Sequence, residues 1–268
     1  MHKPIDTKPL DRSRLRHAKE TYADLCRAYV QRNPNGKYSA YIKSAIGNDA
    51  TLDRHARTLE LYASYIPNDA KVLDWGCRHA PDSCMLRVLY PDLDIHGCDI
   101  AGDDFQEFHG FANLDFRVLE HEYVLPYQDG FFDVVLGSGV LEHVAFEHHS
   151  IEQIWRVLKP DGIFIVTFLP NHTSLTENMS RAMKNYNGHN RLYRLEYAKN
   201  IFLRSGFVVE ACGYHQVFPT FAKGVNGSKL LDAAANLCAR MNRTFESIPY
   251  VNRISSNLYF VLRRVTHM

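Results

Sequence analysis

Net charge is almost absent from this chain: 31 Lys and Arg stand against 30 Asp and Glu, a formal charge of +1 over 268 residues. Duplex nucleic acid is held by clustered cations that replace counterions, so no DNA partner is expected. The stretch Arg12, Arg14, Arg16 and Lys19 reads either as an exposed helical face or as a short phosphate contact. There is no apolar run long enough to span a bilayer, and Met1-His2-Lys3-Pro4-Ile5-Asp6 lacks the apolar centre of a signal peptide. A cytoplasmic location without a membrane partner is the expectation. Cysteine is scattered at 26, 77, 84, 98, 212 and 238 with no C-x-x-C pair, which argues against a zinc ribbon or a redox motif. Internal repeats and low-complexity tracts are missing, and no feature specifies an oligomeric state. Also missing are G-x-G-x-x-G and a glycine-rich loop ending in Lys-Ser or Lys-Thr, so a pyrophosphate cradle is not indicated.

What is present is a regular alternation of strand and helix. Strands read near 71–75, 94–99, 116–119, 132–136, 162–168 and 207–213, with Leu258 to Leu262 as a closing strand. Helical stretches between most of them predict a parallel sheet wound by right-handed crossovers. Ser150 and Gln153 have the spacing of a capping box, and Ile151, Ile154, Trp155 and Leu158 give the helix that follows a buried face. Leu195, Ala198, Ile201 and Phe202 do the same for a helix ended by Gly206. With 46% hydrophobic residues, the chain is expected to form one decorated domain. Residues 1–66 form an N-terminal extension or lid with helices near 11–31 and 51–65, joined by a Tyr-rich stretch. Residues 67–268 form the main domain. It carries insertions at about 170–191, with His172, Asn178, Tyr186, His189 and Arg191, and at 214–250, with a helix from Ser228 to Asn242. The Leu230, Leu231, Ala234 and Leu237 face of that helix reads as core.

The most informative stretch is Lys71-Val72-Leu73-Asp74-Trp75-Gly76, a buried strand that stops on an acid and then a glycine able to turn tightly. Pro81 suits a first helical turn, and Cys84, Met85, Val88 and Leu89 supply its apolar face. A second strand ends at Asp99, 25 residues after Asp74, a spacing that fits a carboxylate on ribose hydroxyls. The alternative for Asp99 is a cap on the helix that follows. Further on come Leu125-Pro126-Tyr127-Gln128-Asp129-Gly130-Phe131-Phe132-Asp133-Val134-Val135, then Leu141-Glu142-His143-Val144, then Arg156-Val157-Leu158-Lys159-Pro160-Asp161-Gly162. Asp133 reads as structural, holding the turn before the fourth strand.

In this order the fragments resemble the L-P-F-x-D-G-x-F-D-x-V, L-E-H-V and R-x-L-K-P-G-G stretches of class I S-adenosylmethionine-dependent methyltransferases. Asp74 to Ala80 resembles the D-x-G-C-G-x-G loop of that family, with Arg78 and Ala80 in place of two glycines. The similarity spans roughly residues 70–213. It implies an α/β fold: a Rossmann-like, seven-stranded, mostly parallel sheet with helices on both faces. The last strand would be antiparallel between strands five and six, with the N-terminal helical extension added here. It also implies S-adenosyl-L-methionine as cofactor and S-adenosyl-L-homocysteine as product. Asp74, Trp75, Gly76, Arg78, Asp99, Ile100, Glu120, His121 and Ser138 become the cofactor-binding candidates. For Glu120 and His121 a solvated strand end serves equally well.

A sulfonium methyl is already activated, so the protein must mainly align the acceptor and exclude water. An alcohol acceptor loses a proton, and an imidazole suits that task. His143, just after strand four, is the first candidate base, with His172 and His189 behind it; packing of His143 against the sheet is the alternative. Glu142, His143, Glu147, His148 and His149 lie close in sequence, with His143 and Glu147 on one helix face, but without a matched third ligand no metal is expected. The acceptor expected is a small polar molecule, methylated on oxygen, such as a sugar or other metabolite hydroxyl. The alternatives are an RNA or protein substrate, or a non-catalytic protein that kept the fold.

Overall fold

The structure is a computed structural model, and it describes residues 10–46, 49–101, 103–121, 124–182, 189–218 and 229–265. Tyr186 and Ser228 lie outside the described residues.

Seven strands follow from the apolar runs: β1 (Lys71–Trp75), β2 (Asp94–Asp99), β3 (Asp115–Val118), β4 (Phe132–Ser138), β5 (Leu158–Pro170), β6 (Phe207–His215) and β7 (Asn257–Arg264). They pair in the order β3-β2-β1-β4-β5-β7-β6. β7 is antiparallel to both β5 and β6, and the pairings from β3 to β5 are parallel. The expected fold class is therefore the observed one. From β1 the chain first builds outward through β2 and β3, then returns to place β4 on the other side. Above the ends of β1 and β4 the strand order reverses and a crevice opens, which is where open α/β sheets bind ligands.

Nine helices are described: α1 (Arg12–Arg32), α2 (Ser39–Ala45), α3 (Asp49–Tyr62), α4 (Pro81–Leu89), α5 (Gln106–Ala112), α6 (Glu147–Val157), α7 (Leu175–Ala182), α8 (Leu195–Arg204) and α9 (Lys229–Phe245). Side chains alternate along a strand, so one strand serves two cores. Val72, Ile95, Val134 and Ile165 face a core built with α1, α3, α4 and α5; Leu73, Val135, Phe164 and Val166 face another built with α6 and α8. The N-terminal helix is integral to the first core: Leu15, Ala18, Tyr22, Cys26 and Tyr29 are buried in it. Asp11 caps α1 by accepting from the Ser13 N–H at 2.8 Å. Asp133 ties strands together, accepting the Lys71 N–H at 2.9 Å and the Lys159 ammonium at 2.7 Å.

Four local expectations are corrected. α6 starts at Glu147, so Ser150 lies inside it, buried and without a hydrogen-bond partner for its hydroxyl, and caps nothing. The Gln153 side chain instead accepts from Leu125 N and from Arg156. Leu158 belongs to β5 rather than to the helix, and Lys159 to Gly162 form an irregular step inside that strand with Asp161 at φ +61°. Leu141 to Val144 form a turn, not a helix start, so His143 and Glu147 do not share a helix face. On α9, Ala234 and Leu237 are exposed. The inward side carries buried Ala239, Phe245 with its ring centre 5.1 Å from that of Phe218, and Asn242, whose amide bonds both N–H and C=O of Phe218; the Leu230 and Leu231 side chains lie outside the described ones.

Candidate functional site

Gly76 turns the chain out of β1 with φ +70°, and its N–H donates to the Cys98 carbonyl at 2.7 Å, folding the loop across β2. Arg78 and Ala80 each have φ +48°. These are the positions where the family pattern carries glycine, and the backbone keeps the left-handed path that glycine favours, at a cost of about 1 to 2 kcal/mol for each side chain. Loss of the two glycines has therefore not rerouted the loop. Arg78 N–H donates to Asp99 Oδ2 at 2.9 Å, and Asp99 Oδ1 accepts from Ala101 N at 3.2 Å. The Arg78 guanidinium is drawn toward Tyr41 and Tyr38, 4.6 and 5.4 Å from their ring centres, so it stands at the mouth rather than filling the crevice.

Two chambers meet there. The larger, about 400 Å³, is lined by Trp75, Asp99, Ile100, Phe105, Leu119 and Val140, with Tyr38. The smaller, about 290 Å³, is lined by Asp74, Asp82, Arg54, His55, Ser138, Phe168, Glu142 and His189. Gly76, Arg78, Gly139 and His143 line both, which puts His143 at the junction.

Of the candidates from sequence, Asp74, Trp75, Gly76, Arg78, Asp99, Ile100 and Ser138 converge on these chambers. Glu120 and His121 are exposed beyond β3 and line neither; Leu119 takes that place. His172 is also exposed and outside, its N–H donating to the Tyr193 carbonyl at 2.8 Å. His189 reaches the smaller chamber, with its ring centre 5.7 Å from that of His143. Unforeseen were Tyr38 and Tyr41 around α2, Arg54 and His55 on α3, and Asp82 and Phe168, while Glu142, weighed in the sequence only within a metal-ligand cluster, lines the smaller chamber. Phe168 takes φ +55° in an irregular part of β5, and its ring lies 5.0 Å from the Arg54 guanidinium.

Burial sets the charges. It raises Asp74 to about 7, with Asp82 adding to the effect and the Ser83 hydroxyl, 2.5 Å from Oδ2, opposing it. It raises Asp82 to about 6, against Ser138, Tyr62 and Arg54, and Asp82 Oδ1 has no hydrogen-bond partner. His55 is held well below its ordinary value by burial and by Arg54. Burial also pushes Glu142 up to about 7, while burial and His189 lower His143.

Because both aspartates have folded-state values above their unfolded ones, the stability they permit is complete at low pH and is lost as pH rises through about 6 to 7. Around them stand Tyr62 and Arg54 from α3, Ser83 from α4, Ser138 from β4 and Asp99 from β2. The ligand-free chain should therefore melt at a lower temperature at pH 8 than at pH 5, and Asp82→Asn should flatten that fall. A melting temperature that climbs across the window in the unsubstituted chain would contradict the assignment.

Residues 66–223 match the family described as "Methyltransferase domain". The chain belongs to this family. It is an S-adenosylmethionine-dependent methyltransferase. Its glycine turn must stay bare for packing, because a Cβ at Gly76 would lie 2.5 Å from Val140 Cγ2. Solved structures share the fold at low identity. A chain of the complex between the Haloferax volcanii Trm112 methyltransferase activator and a methyltransferase is 18% identical, with TM-score 0.60 and coverage of 87% of this chain and 97% of that one. A SAM-dependent methyltransferase from Archaeoglobus fulgidus is 17% identical, with TM-score 0.58 and coverage of 85% and 100%. The [4+2]-cyclase SpnF is 19% identical, with TM-score 0.52 and coverage of 81% and 83%. No curated protein matches the chain.

Proposed function

We propose that the enzyme methylates an oxygen of a small polar molecule, with the cofactor's adenosyl portion in the larger chamber and its methionine portion sharing the smaller one with the acceptor. The observation that carries this reading is the pair of chambers joined at Gly76, Gly139 and His143. Trp75, Ile100, Phe105 and Leu119 offer apolar surface to a purine, and Asp99 presents a carboxylate to ribose hydroxyls from the end of β2. Asp74 and Asp82 offer negative charge to the α-ammonium of the methionine portion. When bound, S-adenosylmethionine supplies a methyl group made electrophilic by its sulfonium. The chain contributes alignment and dryness: Phe168, His55 and Arg54 close one side of the smaller chamber, and His143 and His189 flank the acceptor end. Arg54 adds a half-buried cation, which favours an acceptor carrying a negative or strongly polar group. A chamber of about 290 Å³ that also takes the methionine portion leaves room for a metabolite rather than for a base embedded in RNA or a residue in a folded protein. Among the described residues no helix is long and apolar enough to cross a membrane. We place the enzyme's work in the cytoplasm, on a dissolved acceptor and without DNA.

Calorimetric titration with S-adenosylhomocysteine tests the cofactor half. Saturable heat is expected, and Asp99→Ala should weaken binding by about 1 to 3 kcal/mol. An unaltered dissociation constant would remove Asp99 from the ribose role, and an absence of heat in the unsubstituted chain would favour a non-catalytic protein. Transfer of isotopically labelled methyl groups into a cell extract tests the acceptor half. Label in the small-molecule fraction is expected, whereas label confined to RNA or protein would overturn it.

A further inference from the structure

The acceptor end of the smaller chamber holds three groups with metal-ligand chemistry. One donor atom each from Glu142, His143 and His189 lies within 4.8 Å of the others. His143 Nε2 is 3.7 Å from Glu142 Oε1. Donor atoms around one ion bound at roughly 2.1 Å stand about 3 to 4 Å apart, so side-chain shifts of about 1 Å close the set. Glu142 supplies the independent reason to expect a cation. Its side chain is 2% exposed, yet Oε2 has no hydrogen-bond partner. A buried carboxylate oxygen without a partner is unfavourable by several kcal/mol or more, and a bound cation removes that penalty. The nearby cation Arg191 acts on Glu142 only through its charge, because its hydrogen bonds go to the carbonyls of Leu141 and Val144 and it pairs with Glu147 at 3.6 Å.

The surroundings also resemble a metal site in their outer layer. His189 is fixed to α7, with its backbone N–H donating to Glu177 Oε1 at 3.2 Å and its ring Nδ1 lying 3.7 Å from Glu177 Oε2. At that separation Glu177 pairs with the ring by charge without a hydrogen bond to Nδ1; once drawn in, such a carboxylate orients the other ring nitrogen toward an ion and raises its basicity. Burial is graded, from buried Glu142 through half-buried His189 to exposed His143. One side of the position is therefore protein and the other opens into the cleft.

We propose that Glu142, His143 and His189 bind a divalent first-row transition-metal ion, with its remaining coordination positions facing the methyl acceptor. Two imidazoles and one carboxylate suit Zn²⁺, Mn²⁺, Fe²⁺ or Co²⁺ better than Mg²⁺ or Ca²⁺, which prefer all-oxygen shells. The role rests on the acceptor reading above. An acceptor hydroxyl beside the ion becomes more acidic and releases its proton to solvent water. Its oxygen lone pair then forms the new bond to the methyl carbon while sulfur keeps the electron pair of the bond that breaks. The ion thus replaces a lone imidazole as the means of activating the acceptor.

The test is titration of the metal-free chain with Co²⁺, read by visible ligand-field absorption, and with Mn²⁺, read by paramagnetic broadening of the His143 and His189 ring resonances. Saturation at a single ion per chain is expected, with both rings broadened. Glu142→Gln and His189→Ala should each weaken Co²⁺ by roughly 100-fold or more, and Glu177→Gln by about 10- to 100-fold, the range for outer-layer partners. Absent Co²⁺ absorption, unbroadened rings, or wild-type Co²⁺ affinity in Glu142→Gln would each overturn the site. Titration of the same samples with S-adenosylhomocysteine separates the two ideas: cofactor binding without metal uptake defeats the metal site alone, whereas loss of cofactor binding in the unsubstituted chain defeats the reading beneath it.

Discussion

Gly76→Ala should abolish most of the affinity for S-adenosylhomocysteine and lower the melting temperature as well. The backbone there has φ +70°, a region that disfavours an alanine by about 1 to 2 kcal/mol. The new methyl would lie 2.5 and 2.9 Å from the two γ-carbons of Val140, on the turn after β4. Overpacking of this kind adds about 1 to 3 kcal/mol. The strain falls on the two segments that enclose the junction of the chambers, so binding suffers along with folding. Adding Val140→Ala removes the collision but not the backbone penalty and should restore part of the loss. Calorimetry and thermal unfolding on the three variants measure both. Wild-type affinity in Gly76→Ala would mean that the turn does not meet the cofactor.

Glu246→Ala should reduce unfolding free energy by about 3 to 5 kcal/mol, measured by urea denaturation, because it leaves a buried guanidinium without its counter-charge, held only by the Ala239 carbonyl at 3.5 Å. Arg57 on α3 pairs with Glu246 Oε2 at 2.5 Å, with side chains 8% and 15% exposed. The other carboxylate oxygen accepts the Gln216 N–H at 2.6 Å and lies 3.5 Å from His215 Nδ1. One carboxylate therefore binds the end of β6, the segment after α9 and the helix that carries Arg54. A change below about 1 kcal/mol would show the ion pair to be incidental. Replacing both partners by methionine should recover much of the loss, since the uncompensated charge disappears. Burial tends to raise Glu246, but His215, Arg57 and the Gln216 N–H outweigh it and hold the group below its usual range. A depressed carboxylate contributes stability above the unfolded value and loses it as pH falls through the folded value. Its slope is opposite to that of Asp74 and Asp82, so stability should peak between the two windows.

The sheet was readable because its signals are local. Runs such as Lys71–Trp75 and Asp94–Asp99 give their strand ends directly, and the order of the motifs gives the topology. Asp74, Gly76 and Asp99 were readable for the same reason, since two adjacent parallel strands ending together place their last acids around one turn. Arg54 and His55 were not, because a helix with charged residues on several faces does not reveal which charge a distant chamber will bury. His189 and His172 look alike in sequence; contacts with Glu177 bring the first inward, while His172 stays exposed outside the cleft. The capping pair at Ser150 failed because α6 begins three residues earlier. The apolar face read on α9 failed at Ala234 and Leu237, which are exposed, because the helix turns Ala239 and Asn242 inward instead.

The burial of Tyr22, Cys26 and Tyr29 of α1 beside α4 bears on how this molecule should be subdivided. The family match begins at residue 66, yet a fragment cut there would present a greasy flank of its nucleotide-binding half to water. The leading helices are part of the wall of that half, and trimming to the homologous segment would yield something closer to an aggregate than to a minimal enzyme.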